Sequence, residues 1–348
     1  MNAAQLQNLI VDFLRRTANP QRNLSEELAE VLHISTNAAY KRLSGYTPFQ
    51  LDEVLRLAQH YQMPLGYWLS ASDDRLLAEF SGFKAISSSL KYLDGVREEL
   101  QGILQLADYR LQIANSGLSD FYFFLFDELT LFRFYIWQRL QWRDPEWDEL
   151  PFSFDLPHKE ELLTRVRKLL GYYFRLNVEQ IWSESIFDSI YQQTRYLLEA
   201  NLFRNPEDAL VILRKLSELY SHLYEMAKTG RLFPPEGTVE QSAGKVKTFV
   251  NQCLENTNVI LLEGGEQATV YAILDNPNFL KIKDPKICTY VKGMFERLLA
   301  RSEQVSELGE RSRRDFFQRL KIRMAFFEKE IQRHVDSRKS INSRLSAP

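Results

Sequence analysis

The 348-residue chain is poor in cysteine, with only Cys253 and Cys288. Two cysteines exclude a disulfide framework and suit a reducing compartment, so a cytoplasmic protein is expected. Both read as small core residues. Five histidines (His33, His60, His158, His222 and His334) are scattered without ligand spacing, so no metal is expected. Glu218, His222 and Glu225 share a helix face, which reads as a solvated face. Net charge is nearly absent: 44 Lys and Arg against 46 Asp and Glu leave −2, which excludes a basic coat for nucleic acid. Long apolar runs are missing too. The most membrane-like stretch, Phe121–Trp142, is broken by Asp127, Glu128, Arg133 and Arg139. It falls short of the roughly 18 apolar residues of a span and reads as a buried helix. Met1–Leu14 lacks a basic segment followed by an apolar one, so no targeting segment is expected and no membrane partner. No nucleophile–base set and no phosphate loop appears, so neither an enzyme nor a cofactor is expected. Gly264-Gly265-Glu266-Gln267 reads as a turn. No repeat of fixed period occurs, which argues against a solenoid.

What is present is ordinary globular material: 45% apolar, 26% charged and 13% aromatic residues. The length suits two or three domains. Residues 1–70 read as short helices with clear punctuation. Leu6, Leu9, Ile10, Phe13 and Leu14 form one stripe, which Asn19-Pro20 ends. Ser25 reads as the cap of a second helix, Glu26–Leu32. Ser35 reads as the cap of a third, Thr36–Ser44, which Gly45 closes. Thr47-Pro48-Phe49-Gln50 reads as cap, first-turn proline and capping-box Gln of a fourth helix running to about Tyr61. Residues 1–70 carry six basic and six acidic side chains. Residues 311–348 are net +7 and the middle of the chain net −9, so that middle is a poor nucleic-acid surface.

Leu24–Gly45, LSEELAEVLHISTNAAYKRLSG, carries the chemistry. Two short helices crossing through a tight turn need a small residue at their approach, and Ala29 supplies it. Leu28, Leu32, Ile34, Ala39 and Leu43 face the core. Ser35, Thr36, Asn37, Tyr40, Lys41, Arg42 and Ser44 are the candidate DNA contacts. Asn37 can pair bidentately with adenine, and Lys41 or Arg42 can reach guanine. Thr36 and Tyr40 can bond phosphate or touch a thymine methyl. No acid lies between Thr36 and Ser44.

The segments LSEELAEVLHIS, AAYKRLSG and LDEVLRLAQHYQMPLGYWL together resemble the helix-turn-helix domain of phage-repressor-type (Xre/Cro-CI-like) regulators. The resemblance covers roughly residues 3–70. It implies a DNA reader whose second helix enters the major groove. The family usually has Gly at the turn, where His33 stands, and an aliphatic residue where Ala39 stands. His adopts the left-handed conformation of such a turn more readily than a β-branched residue does. DFYFFLFDELTLFRFYIWQRL and RSEQVSELGERSRRDFF are similar to uncharacterised regulators of Bacteroidota-like bacteria. That likeness implies a reader joined to a long helical domain.

Beyond a linker at Ser70–Asp74, Ile86, Leu93 and Leu100 repeat every seven residues, with Val96 and Ile103 between them. This stripe reads either as the seam of a dimer coiled coil or as an in-chain packing helix. Arg143–His158 reads as a loop and Lys159–Gly230 as helix. Asn258–Glu263 and Gln267–Leu274 form the one hairpin signal. Two helices, Lys286–Arg301 and Gly309–Val335, precede a solvated tail. Tyr172, Tyr173, Phe174, Trp182, Phe187, Tyr191 and Tyr196 read as core or as the lining of an effector pocket. The basic run from Arg311 to Arg323 reads as a solvated helix, a phosphate contact or a clamp on the acidic middle. The expected fold is therefore predominantly all-α: a reader at 1–70, a dimerisation and sensor region at 71–230, a helical region with one small hairpin at 231–335, and a tail at 336–348. The expected function is a dimeric, sequence-specific regulator of double-stranded DNA with an unknown small-molecule or protein effector. The alternative is an interaction adaptor that docks partners on its N-terminal helices and aromatic body.

Overall fold

A computed structural model describes residues 2–17, 22–63, 65–68, 78–80, 89–142, 145–255, 257–265, 267–275 and 277–345. Asn19-Pro20, the Ser70–Asp74 linker and Ile86 lie outside the described residues. The chain divides into two compact units, Met1–Leu77 and Ala78–Pro348.

The first unit holds α1 (Ala3–Thr17), α2 (Leu24–Leu32), α3 (Thr36–Leu43), α4 (Leu51–Tyr61) and the short α5 (Leu65–Trp68). Each helix turns one apolar stripe inward. Ile10, Leu14, Leu28, Leu32, Ala39 and Leu57 form the core, and Phe13 meets Trp68 edge-on at 5.5 Å.

The second unit overturns the all-α expectation. Its centre is a nine-stranded mixed sheet, not one small hairpin. The strands are β1 (Glu79–Phe80), β2 (Tyr109–Asn115), β3 (Asn177–Trp182), β4 (Arg231–Leu232), β5 (Gly244–Val250), β6 (Asn258–Gly264), β7 (Gln267–Asp275), β8 (Asn278–Ile282) and β9 (Glu303–Gln304). β2, β3 and β5 run parallel, as helical crossovers require. β6, β7, β8 and β1 continue antiparallel from β2, while β4 and β9 share the outer edge of β5. The expected hairpin exists as β6–β7, two strands of the nine. The break expected at 230/231 falls inside this one unit, because β3 and β5 are hydrogen-bonded neighbours.

The helices between the strands are α6 (Ser89–Gln105), α7 (Asp120–Phe123), α8 (Asp127–Ile136), α9 (Lys159–Tyr173), α10 (Asp188–Glu199), α11 (Asp208–Thr229), α12 (Pro285–Leu299) and α13 (Glu310–Leu345). The Phe121–Trp142 stretch is buried as expected but is not one helix: α7 and α8 are separated at Phe124–Phe126, and a π turn follows at Trp137–Gln141. Its Arg133 is buried. It donates to Asp120 at 2.7 Å and to Gln193 at 2.8 Å, which answers the cost of burying a charge. One sheet face packs on α12 through Ile181, Leu261, Val270 and Phe295; the other faces the larger core through Val178, Trp182, Val246 and Ile260.

The described part of the heptad stripe lies on α6, but Leu93, Leu100 and Ile103 are buried in the core of their own unit and Val96 is half-buried beside them. These side chains pack in-chain, so they are not free to form a dimer seam. The basic helix clamps the acidic segment before and within α10. Arg319 reaches Glu184 at 2.8 Å, Arg323 grips Asp188, and Arg195 of α10 reaches Glu330 at 3.2 Å. Residues 336–345, expected as tail, continue α13. Cys288 is buried as expected, whereas Cys253 is exposed. Among the described residues no helix is long and apolar enough to cross a membrane.

Candidate nucleic-acid interface

Local chemistry fixes the α2–α3 corner. Asn23, not Ser25, caps α2: its side chain accepts from the Ser25 N–H at 2.9 Å, and the helix starts at Leu24. α2 ends on His33, which takes the left-handed conformation at φ 56°, ψ 44°, a conformation that favours glycine at a helix end. Its N–H turns back onto α2, and the Ile34 N–H donates to the Ala29 carbonyl at 3.1 Å. Ser35 caps α3 by accepting from the Ala38 N–H at 3.2 Å. Gly45 leaves the helix at φ 79°, a value that costs glycine nothing.

α3 buries Ala39 completely and half-buries Ala38, Arg42 and Leu43. Ser35, Thr36, Asn37, Tyr40, Lys41 and Ser44 are exposed, and Tyr40 is 59% exposed. A helix with its side chains is about 10–12 Å across, which a major groove about 12 Å wide admits. The exposed face holds donors, acceptors, one ring and one cation, with no acid. The Ser44 hydroxyl donates to the Tyr40 carbonyl at 2.8 Å and is taken up in closing the helix.

Arg42 differs from its neighbours. Its Nε donates to Glu53 at 2.7 Å and its Nη1 to the Ala38 carbonyl at 3.3 Å, with only 12% of its side chain exposed. It therefore ties α3 to α4 and is not available to a base edge. Glu53 also accepts from the Gln50 N–H at 2.9 Å, so Gln50 is the cap of α4 and the helix starts at Leu51, later than the Thr47-Pro48 reading expects. Gln7 of α1 explains the delay. Its amide donates to the carbonyls of Arg42 and Thr47 at 3.0 Å each and accepts from the Phe49 N–H at 3.3 Å. The segment between α3 and α4 is thus held out of helix. Gln7 and Glu53 position the reading face from a distance in sequence, and no local signal marks either.

Residues 2–83 match the BetR domain, a helix-turn-helix-like domain associated with regulators. The match covers the five helices of the first unit. No curated protein and no solved structure matches the chain.

Proposed function

We propose that this protein is a sequence-specific, double-stranded-DNA-binding transcriptional regulator of the Xre/Cro-CI-like kind, working in the cytoplasm as a binder and not as an enzyme. The acid-free exposed face of α3 carries this reading, and the BetR match supports it. Asn37 reads adenine, Lys41 reads guanine or phosphate, and Ser35, Thr36 and Tyr40 fix the helix against the backbone. Arg42 holds α3 at its angle.

A neutral unit neutralises few phosphates, so useful affinity at physiological salt calls for two reading heads. We therefore infer a dimer on an inverted repeat with half-sites about one helical turn apart. The second unit then senses an effector and sets the spacing of the heads.

Retention from a random duplex pool at near-physiological salt, followed by sequencing, tests the proposal. The expected result is a palindromic motif that vanishes with Lys41→Ala. Absence of enrichment, with a protein partner captured independently of Asn37 and Lys41, would favour the adaptor instead.

A further inference from the structure

The second unit contains a cleft of about 750 Å3, within the roughly 300–1,000 Å3 range of small-molecule sites. It opens between α6 and the face of the sheet that β2, β6, β7 and β8 present. Leu100, Ile103, Ile113, Ile260 and Phe279 supply apolar walls. Asn115, the last residue of β2, lines it at the carboxyl end of the strand. β2 is where the strand order reverses: β3 and β5 follow on one side, and the chain then returns to place β6 on the other. Open α/β sheets bind ligands outside the carboxyl ends of strands at such switch points.

Among the described residues, four side chains of the lining carry a buried polar atom without a partner: Asn115, Trp137, Gln141 and Tyr173. Asn115 is 9% exposed and its carboxamide oxygen accepts no hydrogen bond. The Trp137 indole N–H has no acceptor, and neither does the Gln141 carbonyl oxygen have a donor. Trp137 and Gln141 begin and end the π turn, a helix irregularity frequent at functional sites. Buried polar atoms are ordinarily paired, and exceptions concentrate where something else completes them. The formal charges of the lining, by contrast, are answered within it. Asp120 pairs with Arg133, Glu99 pairs with Lys281 and accepts from the Tyr271 hydroxyl at 2.9 Å, and Glu79 and Lys91 are exposed. No buried charge is left for an ionic ligand to neutralise.

We propose that this cleft binds an uncharged organic molecule, with an aromatic or aliphatic body among the apolar walls and a polar end that either donates an O–H or N–H to the Asn115 carboxamide oxygen or presents a carbonyl to the Trp137 indole N–H. This deepens the sensing half of the proposed function by naming its site and ligand class.

Gly95 gives a clean block. It lines the cleft from α6, and a Cβ there meets nothing within 4 Å. Leucine at that position improves helix propensity while filling the opening. The full chain is titrated, without DNA, with 6-propionyl-2-(dimethylamino)naphthalene, an uncharged naphthyl ketone whose emission shifts blue in apolar surroundings. The expected result is saturable binding of one equivalent, at least tenfold weaker in Gly95→Leu; N-phenyl-1-naphthylamine, an uncharged probe with an N–H to donate, should bind several-fold more weakly to Asn115→Ala than to wild type. Circular dichroism should match wild type for both variants, with thermal unfolding of Gly95→Leu no lower than wild type. An anionic naphthalene sulfonate should bind at least tenfold more weakly than the ketone. Equal ketone binding in wild type and Gly95→Leu, or no saturable binding, would overturn the site. Sulfonate binding as tight as ketone binding would overturn the ligand class. Neither readout depends on DNA, so failure of the DNA-reading proposal remains separate.

Discussion

In the first unit Thr36, Asn37, Tyr40 and Lys41 stand in solvent, while in the second Gln112, Asn115, Gln180 and Thr248 lie inside. Two of these interior residues, Gln180 and Thr248, belong to a bonded chain. The Tyr122 hydroxyl donates to Gln180 at 2.9 Å, Gln180 donates to Thr248 at 2.9 Å, and the Thr248 N–H donates to Ser306 at 3.1 Å. Burial pushes the Tyr122 phenol up to about 12, so it stays a neutral donor. A small unit has little interior and displays its recognition chemistry on an exposed helix. A unit built on a nine-stranded sheet has enough interior to enclose polar groups, and with them a cleft.

This contrast can be broken at several points. Phe132 is fully buried, with Phe152 at 5.4 Å and Phe203 at 6.5 Å. Phe132→Ala should cost the second unit about 3–5 kcal/mol. Calorimetry should show its unfolding shifted while the transition of the first unit stays put; a common shift would break the two-core picture. Glu53→Ala strands a nearly buried Arg42 and should cost the first unit about 3 kcal/mol, read by chemical denaturation. The paired change Arg42→Met with Glu53→Leu should recover most of that loss. Asn37→Ala should weaken operator binding by about 1–3 kcal/mol. Lys41→Ala should lower the slope of log affinity against log salt by about 1, with no change in thermal stability.

The smallest effect concerns His222, whose Nε2 lies 2.8 Å from the Phe233 carbonyl. Burial holds its pKa below the ordinary value near 6.5, against the opposing pull of that carbonyl and of Glu236 and Glu225. The unfolded chain therefore takes up the proton first. Its contribution is complete above about 6.5 and is lost as pH falls through the lower folded value. His222→Gln should flatten the stability–pH curve of the second unit below pH 6.5.

Legibility in the sequence followed the range of the forces. His33, Ser35 and Gly45 act on their immediate neighbours, so the α2–α3 corner was readable from single residues. So was the β6–β7 hairpin, turned at Gly264-Gly265. β2 and β3 were hidden because both their faces are largely buried, and YRLQIAN and NVEQIW therefore do not alternate cleanly. β3 also follows α9 closely enough to read as its continuation. β5 was findable: in GKVKTFV, Lys245 and Lys247 are exposed and Val246, Thr248 and Val250 are buried, a period of two. Arg42 was misread because Glu53, its partner, is set by the α3–α4 packing and not by spacing along one helix. The cleft was invisible for the same reason, since three of the strands facing α6, β6 to β8, lie more than 150 residues away in sequence.

The most direct test is a pair of binding isotherms on the duplex retained from the random pool. The account predicts that Asn37→Ala with Lys41→Ala loses affinity by a factor of about 100 or more, taking roughly 1.4 kcal/mol per contact. It predicts that Arg42→Met with Glu53→Leu stays within about threefold of wild type, because that pair supports the reading face without touching DNA. Equal losses in the two variants, or a loss confined to the Arg42–Glu53 pair, would contradict it.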